Sequence, residues 1–383
     1  MQRIAFFSEN LYGGGVERIL QTVLGHFDYE RYDITLWSNR HETLDYSIYP
    51  SRLKYKWIFD SELDDSSIIK KWFVRLKNKT KLLIYYHLSP SLFYRLFVRE
   101  SYNCAIAFIE GYSTRIVSGA PKAVKRIAWV HTDLIDNHWT SVAFRGYEEE
   151  KKIYRIFDRI VCVSSQIEQV MQERFGLNGK TVIIYNPIDK ERIKKLSMEP
   201  IPSEFAEKDC VRIATMGSLI PVKGYNRLIR SVSVLVALGY EFELVIIGGG
   251  KLEKELKEAV QQLGIENQVR FTGYLPNPFP IILSSDFYVC SSYAEGFNTS
   301  ISEAIILNKP VVSTNCSGVK EQLGDSEFGI VTDIDDESLT KGISMMLDKK
   351  VFDYYSTRIV ERSNLFSVDN SMRKIMKMID ELR

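Results

Sequence analysis

The chain has 383 residues, too many for one ordinary hydrophobic core and enough to bury two. Hydrophobic residues are 45% and charged residues 26%, an ordinary globular composition, and the formal net charge of +1 gives no global pull toward nucleic acid. The five cysteines, Cys104, Cys162, Cys210, Cys290 and Cys316, are odd in number and widely spaced, which excludes a zinc ribbon or a disulfide framework and suits buried thiols in a reducing compartment.

The first run, I-A-F-F at 4–7, ends on polar Ser8, Glu9 and Asn10, so it reads as a strand rather than a signal peptide. Gly13, Gly14 and Gly15 follow, then an amphipathic helix over 16–26. Glycine there permits close backbone approach, but Arg18 stands where a G-x-G-x-x-G fingerprint needs its last glycine, which disfavours NAD. Further strands are predicted at 32–37, 104–109, 126–130, 160–164 and 181–184. Glu110 and Ser113 follow one of them and His131 another, so all three are candidates to face a ligand; an ordinary strand-to-helix loop and a satisfied structural histidine are the plain alternatives. His138 and Trp139 are candidates to line the same pocket, and Asp133, Asp136 and His138 fit no compact metal-ligand set.

Between 66 and 99 there is no acidic residue, while Lys70, Lys71, Arg75, Lys77, Lys79, Lys81, Arg95 and Arg99 alternate with Trp72, Phe73, Leu82, Leu83, Leu92, Phe93 and Phe97. A basic amphipathic segment of this kind can lie on an anionic membrane, each cation contributing on the order of 1 kcal/mol. The plain alternative is a helix pair with solvated basic faces and core aromatics. No nucleic-acid module accompanies the patch. No apolar stretch reaches the length of a membrane span, so the protein is expected in the cytoplasm, peripheral to the inner face of the membrane.

The chain turns polar over 190–208, with Pro200 and Pro202, and this is read as a linker. Beyond it the grammar is regular. Apolar runs at 211–216, 242–247, 269–272, 287–291, 310–314 and 329–332 alternate with helical stretches near 225–238, 252–263, 300–307 and 338–347. Unbroken Val/Ile runs alternating with helices imply a parallel sheet covered on both faces. The fold class is therefore α/β, two Rossmann-like doubly wound domains: one over 1–195 and one over 205–365, with a last helix, 366–383, packing back on the first.

After the strand F-Y-V-C-S-S comes E-G-F-N-T-S-I-S-E, 295–303. Gly296, Phe297, Asn298 and Thr299 turn into a helix whose exposed amides suit a phosphate or nearby hydroxyls. Glu295 and Glu303 can accept hydrogen bonds from vicinal sugar hydroxyls. Alternatively Ser300 and Glu303 form a capping box, S-x-x-E, with two solvated acids. Asp333-Ile334-Asp335 matches a metal-binding D-x-D pattern, but it immediately precedes a helix, where acids serve as caps. No metal is expected.

The stretch A-E-G-F-N-T-S-I-S-E-A-I-I-L-N-K-P-V-V-S-T-N-C-S-G resembles the E-x7-E region of the retaining glycosyltransferases of family 4 (group 1), which have the GT-B fold, two Rossmann-like domains facing across a cleft. G-G-G-V-E-R at 13–18, W-V-H-T-D at 129–133, V-S-S-Q at 163–166, Y-N-P-I-D at 185–189 and M-G-S-L-I-P-V-K-G at 216–224 are similar to further motifs of that family, in order and along nearly the whole chain. The resemblance implies that the first domain takes the acceptor and the second a nucleotide diphosphate sugar, UDP-sugars first. It implies that Glu295 binds the transferred sugar, Glu303 the ribose, and the amides at Phe297, Asn298 and Thr299, with Gly296, border sugar and diphosphate. Lys223 would neutralise the diphosphate, Gly14, Gly15 and Gly249 would face the donor, Tyr274 would neighbour the base, and His131 would contact the reacting centre. The family pattern G-R-L is here Gly217-Ser218-Leu219, so an arginine that grips the diphosphate is replaced by Ser218. That departure keeps open a non-catalytic sugar-nucleotide-binding partner subunit as a second reading, and a phosphorylase or epimerase as a third.

Overall fold

The computed structural model describes residues 1–61, 68–206, 209–363 and 366–382. The first two residues of the basic segment, the last two of the polar stretch 190–208, positions 364 and 365, and Arg383 lie outside the described residues.

The chain divides into two compact units, Met1–Pro187 with Asp369–Arg383, and Ile188–Val368. The first holds a seven-stranded parallel sheet, built from β1 (Gln2–Ser8), β2 (Tyr32–Arg40), β3 (Lys54–Phe59), β4 (Cys104–Ala107), β5 (Lys125–Val130), β6 (Arg159–Cys162) and β7 (Thr181–Ile183). Its order is β3-β2-β1-β4-β5-β6-β7. The second unit holds β8 (Val211–Met216), β9 (Phe242–Ile247), β10 (Val269–Gly273), β11 (Phe287–Cys290), β12 (Val311–Thr314) and β13 (Ile330–Thr332), in the order β10-β9-β8-β11-β12-β13. Every strand pair in both sheets is parallel. The doubly wound α/β architecture follows from strands such as Ile4, Ala5, Phe6 and Phe7, all essentially fully buried because helices cover both faces.

In each sheet the strand order reverses once: between β1 and β4 in the first, between β8 and β11 in the second. Loops leaving the carboxyl ends of two such strands diverge to opposite faces and open a crevice, the place where ligands bind in open α/β sheets. Register across the first switch point pairs Ile4 with Cys104 and Phe7 with Ala107; across the second, Ile213 pairs with Phe287.

Three elements depart from the sequence reading. β3, K-Y-K-W-I-F, has only a three-residue apolar run; it is an edge strand, and its exposed Lys54, paired with Asp33, is the kind of charge that keeps an edge from pairing further. The stretch read as a linker begins with a helix, Lys190–Ser197, capped by the Asp189 side chain, which accepts from Arg192 N at 2.9 Å. That helix packs on the helices Phe279–Ser284 and Thr299–Ile306, so it belongs to the second unit. The last helix, Val368–Glu381, buries Met372, Ile375, Met378 and Ile379 at helical spacing. It joins the first unit through Ser371 Oγ, which donates to Tyr185 O at 2.9 Å, and through Asp380, which accepts from Arg31 and Tyr32. Among the described residues no helix is long and apolar enough to cross a membrane.

Candidate functional site

At the second switch point the loop after β8 and the loop after β11 are tied together. The first closes through a 3-10 turn, Pro221–Lys223, and Gly224 at φ 67°. A Cβ on Gly224 would lie 2.0 Å from Ser291 O, so only glycine lets these loops approach. Ser291 Oγ donates to Lys223 O at 2.9 Å, and Tyr293 N donates to Val222 O at 2.8 Å.

On this frame the Lys223 ammonium donates to Glu295 Oε1 at 2.7 Å. The same oxygen accepts from Ser292 Oγ at 2.6 Å and Asn298 Nδ2 at 3.1 Å. Burial works against the lysine's charge, but the Glu295 carboxylate beside it outweighs this and holds Lys223 above the usual lysine range. The site therefore presents a fixed cation beside a carboxylate already held by three donors.

The helix Thr299–Ile306 starts on Asn298, not on a Ser300 capping box. Asn298 Oδ1 accepts from Ser300 N at 2.9 Å, Ile301 N at 3.3 Å and Ser300 Oγ at 2.6 Å. The side-chain amide two residues earlier reaches both orphan amides, so the serine hydroxyl becomes a donor to the cap rather than the cap itself. Ser300 also accepts from the buried Tyr288 hydroxyl at 2.8 Å. Gln322 Nε2 donates to Asn298 O at 2.7 Å and to Ser302 Oγ at 2.6 Å, fixing the turn from behind. A Cβ on Gly318 would lie 2.5 Å from Gly296 O, so a third loop abuts this turn. Phe297 and Glu303 are buried, and Thr299 is half-buried.

Gly249 and Tyr274 are brought together: a Cβ on Gly249 would meet Tyr274 at 3.7 Å, ordinary contact. Tyr274 itself is 65% exposed, as a ring available to an incoming flat ligand would be. Ser218 is exposed on the neighbouring loop, whose Leu219 N donates to Gly249 O at 2.9 Å. Asp335 accepts from Ser338 N at 2.7 Å and caps the helix Asp336–Leu347, while Asp336 pairs with Arg227 and Arg230.

The first switch point is built from different groups. Glu9 follows β1, and its Oε1 accepts from Tyr112 N at 3.3 Å. Glu110 follows β4 and is fully buried; its Oε2 accepts from His131 N at 3.1 Å. The Thr132 and Trp139 side chains also act on Glu110 as hydrogen-bond donors, and the Ser113 hydroxyl is buried without a partner among the described residues. His131 Nε2 lies 2.9 Å from Phe108 O, so Nε2 carries the hydrogen and Nδ1, which has no partner, is the acceptor. Burial brings the His131 pKa down to about 4, which keeps the ring neutral.

Two expectations change here. Gly14 precedes the helix Gly15–Gly25 without a side-chain cap of its own, but a Cβ on it would lie 2.4 Å from Glu17 Oε2. The buried Glu17 carboxylate thus occupies the helix start above Gly14 and Gly15, and an anion arriving there meets a carboxylate instead of bare amides. His138, read as an acceptor contact, has both ring nitrogens engaged: Nε2 lies 2.7 Å from Glu150 Oε2 and Nδ1 2.9 Å from Arg174 Nη2. It ties the 3-10 turn Trp139–Ala143 to the helices Tyr147–Arg155 and Ser165–Phe175.

Sequence reasoning did not single out Glu9, Glu17, Ser292 or Gln322. Glu9 carried one signal, its place just after the first strand; the others are recruited by contacts between distant segments.

The family model described as Glycosyltransferase Family 4 matches residues 13–192, and the one described as Glycosyl transferases group 1 matches residues 199–363. A relative from Campylobacter jejuni, N-acetylgalactosamine-N,N'-diacetylbacillosaminyl-diphospho-undecaprenol 4-alpha-N-acetylgalactosaminyltransferase, is 26% identical over 386 residues, covering 99% of this chain and 100% of the relative. An uncharacterized glycosyltransferase of Methanocaldococcus jannaschii is 29% identical over 218 residues, covering 55% of this chain and only 53% of that relative. Among solved structures, Anabaena HepE in complex with UDP and glucose superposes with a TM-score of 0.76 at 16% identity, covering 99% of this chain and 100% of HepE.

Proposed function

This chain belongs to the family 4 and group 1 glycosyltransferases and has the GT-B fold, and from that premise we propose that it moves a hexose or N-acetylhexosamine from a UDP-sugar to a glycan or lipid-linked glycan, with retention at the anomeric carbon. The observation that carries the proposal is the Lys223–Glu295 pair beside the Asn298-capped helix start, at the switch point of the second sheet. UDP in the HepE complexes and a lipid-linked acceptor in the name of the Campylobacter relative support the two substrate classes.

In this reading Lys223 and the amides at Phe297, Asn298 and Thr299 neutralise the diphosphate, Glu295 orients the sugar, Glu303 holds the ribose, and Tyr274 with Gly249 borders the base. His131, neutral, offers Nδ1 to a hydroxyl, and Glu110 and Ser113 stand on the acceptor side. The acceptor oxygen attacks the anomeric carbon, the bond to the diphosphate breaks on the same face, and a leaving phosphate oxygen takes the acceptor proton. Protein catalysis then consists of orienting two substrates and stabilising developing phosphate charge. This reading calls for no metal: Asp335 of the D-x-D pattern serves as the cap of the helix Asp336–Leu347.

The test is calorimetric titration with UDP and UDP-sugars, together with release of UDP by the isolated protein. UDP binding that Glu303→Ala weakens supports the reading; a chain that binds no nucleotide sinks it. Binding without turnover on any glycan would instead favour the non-catalytic partner subunit, which Ser218 in place of an arginine keeps in play.

We further propose that the segment 66–99 docks the enzyme on anionic lipid. In the helix Ile68–His87, Ile68 (86% exposed), Trp72 and Phe73 face outward instead of joining the core, whereas Tyr85, and Phe93 in the following helix Pro90–Phe97, are buried. Lys77 and Lys81 pair with Asp60 at 2.8 and 3.3 Å, which orients that helix on β3. Vesicles containing anionic lipid should retain the protein at low salt and release it at high salt. Equal recovery with neutral vesicles removes this part of the proposal.

A further inference from the structure

The first sheet's switch point gathers carboxylates from three segments: Glu9 after β1, Glu17 from the first turn of the helix Gly15–Gly25, and Glu110 after β4. Between two of them sits Gly111, at φ 90°. A Cβ there would lie 3.2 Å from Trp139 Cη2 and 3.3 Å from Glu9 Oε1. One glycine therefore brings an indole edge and a carboxylate side by side, both only partly buried. Next to this turn the fully buried Glu110 is held by the His131 amide and by the Thr132 and Trp139 side chains, and the Ser113 hydroxyl is buried without a hydrogen-bond partner among the described residues.

An aromatic ring next to a carboxylate is the pairing a neutral sugar needs. The ring takes the C–H face, and the ionised carboxylate, with two acceptor oxygens, can accept from two neighbouring hydroxyls. A phosphate is unsuited here, because Glu9, Glu17 and Glu110 repel it wherever they are ionised. We propose that Glu9 and Trp139 form the subsite for the uncharged terminal sugar of the acceptor, with Glu9 accepting from its hydroxyls. The proposal rests on the reading that the first unit takes the acceptor, and it adds that the part bound there is a neutral glycoside.

The groups around Glu9 give this subsite a pH signature. Burial, and then the charges of Glu110 and Glu17, raise its pKa to about 7, against the lowering effect of the Tyr112 amide. Glu42 acts on Glu17 in the same sense, and the Glu9 charge acts in turn on the Tyr112 hydroxyl, which is bonded to the Tyr86 hydroxyl at 2.7 Å. Hydroxyl donors favour the ionised carboxylate, so sugar affinity rises as pH rises through that value. If only the ionised form binds, the apparent dissociation constant falls about tenfold between about pH 6 and about pH 8.

The experiment is an NMR titration of the full chain with methyl N-acetyl-α-D-galactosaminide and, separately, methyl α-D-glucoside. The expected result is the tenfold pH dependence in the wild type, a flat profile for Glu9→Gln, and loss of binding at both pH values for Trp139→Ala with thermal unfolding still cooperative. A wild type that binds neither glycoside, a pH-independent wild type, or a Glu9→Gln variant that keeps the slope overturns the proposal. UDP binding to the wild type is measured alongside. UDP bound without glycoside binding removes this subsite alone, whereas no UDP binding removes the donor reading on which the whole assignment rests.

Discussion

The two sheets share a layout and oppose each other in charge. In both, the loops at the strand-order reversal carry a glutamate: Glu9 and Glu110 at β1 and β4, Glu295 at β11. In the second unit Lys223 reaches across from β8 and neutralises that glutamate at 2.7 Å, and a capped helix start lies beside it. In the first unit Glu17 takes the helix start; burial raises the pKa of both Glu9 and Glu110, and for Glu9 the charges of Glu110 and Glu17 add to it. The same backbone thus builds one end suited to an anion and another suited to hydroxyls, and the difference lies in a handful of loop residues rather than in the fold.

The largest expected effect tests the anion-suited end. Glu295→Gln keeps an oxygen for Ser292 and Asn298 but removes the charge opposite Lys223. Turnover should fall by about 100-fold or more, about 3 kcal/mol of activation free energy, while UDP affinity changes little. Equal losses in turnover and in UDP affinity, measured by steady-state kinetics and calorimetry, would remove the distinction between sugar and nucleotide contacts.

The next effect tests the acid-rich end through stability. Glu9 has a folded pKa of about 7, above its unfolded value, so its contribution is intact in acid and is lost as pH rises through about 7. Glu9→Gln should therefore stabilise the protein at about pH 8 by up to about 2–3 kcal/mol and make no difference near pH 4. His131 runs the other way. Its pKa is depressed to about 4 by burial, so the native state loses stability as pH falls from about 6.5 toward 4. Denaturant midpoints across pH for wild type, Glu9→Gln and His131→Phe separate the two; a Glu9→Gln benefit that grows toward acid would invert the picture of the first unit.

Much of this was legible in sequence, for local reasons. Runs such as V-I-I at 245–247 can only be strands covered on both faces, so the doubly wound class followed, and the motifs at 216–224 and 295–303 fell at strand ends where ligands bind. β3 was not legible, because an edge strand need not be apolar. The helix cap at Asn298 was hidden by a better-known pattern on Ser300, since sequence spacing does not say which of two side chains reaches the amides. Least legible were groups defined by distant partners. His138 depends on Arg174, 36 positions away, and Glu9 is shaped by Tyr112, 103 positions away. Glu17 reads as an ordinary first-turn acid until it is seen lying over Gly14.

A smaller effect tests how the second loop frame holds its glutamate. Asn298→Ala deletes the cap of the helix Thr299–Ile306 together with the hydrogen bonds to Glu295 and the Cys290 thiol. Loss of the cap alone costs about 1 kcal/mol. Asn298→Asp retains the cap but places a second carboxylate beside Glu295. If the helix start serves a diphosphate, Asn298→Asp should leave the melting temperature near that of the wild type and still weaken UDP binding; equal UDP affinity for the two proteins would remove the helix start from the donor site.

A last effect, comparable in size, bears most directly on the contrast between the two ends. Ser218 is exposed on the loop after β8, and a Cβ at the adjacent Gly217 would lie 3.8 Å from the Lys223 stem. An arginine at 218 therefore starts from a position next to the one cation proposed for the diphosphate. Its planar fork can grip a phosphate in two places, worth about 1–2 kcal/mol when well placed, so Ser218→Arg should raise UDP affinity by about tenfold at low salt. Because the added contact is electrostatic and exposed, the gain should shrink as ionic strength rises. The acceptor side should not respond: glycoside affinity and its pH dependence stay as in the wild type. If Ser218→Arg gives no gain in UDP affinity at any salt, the phosphates do not pass over this loop, and the assignment of the β8 end to the diphosphate must move.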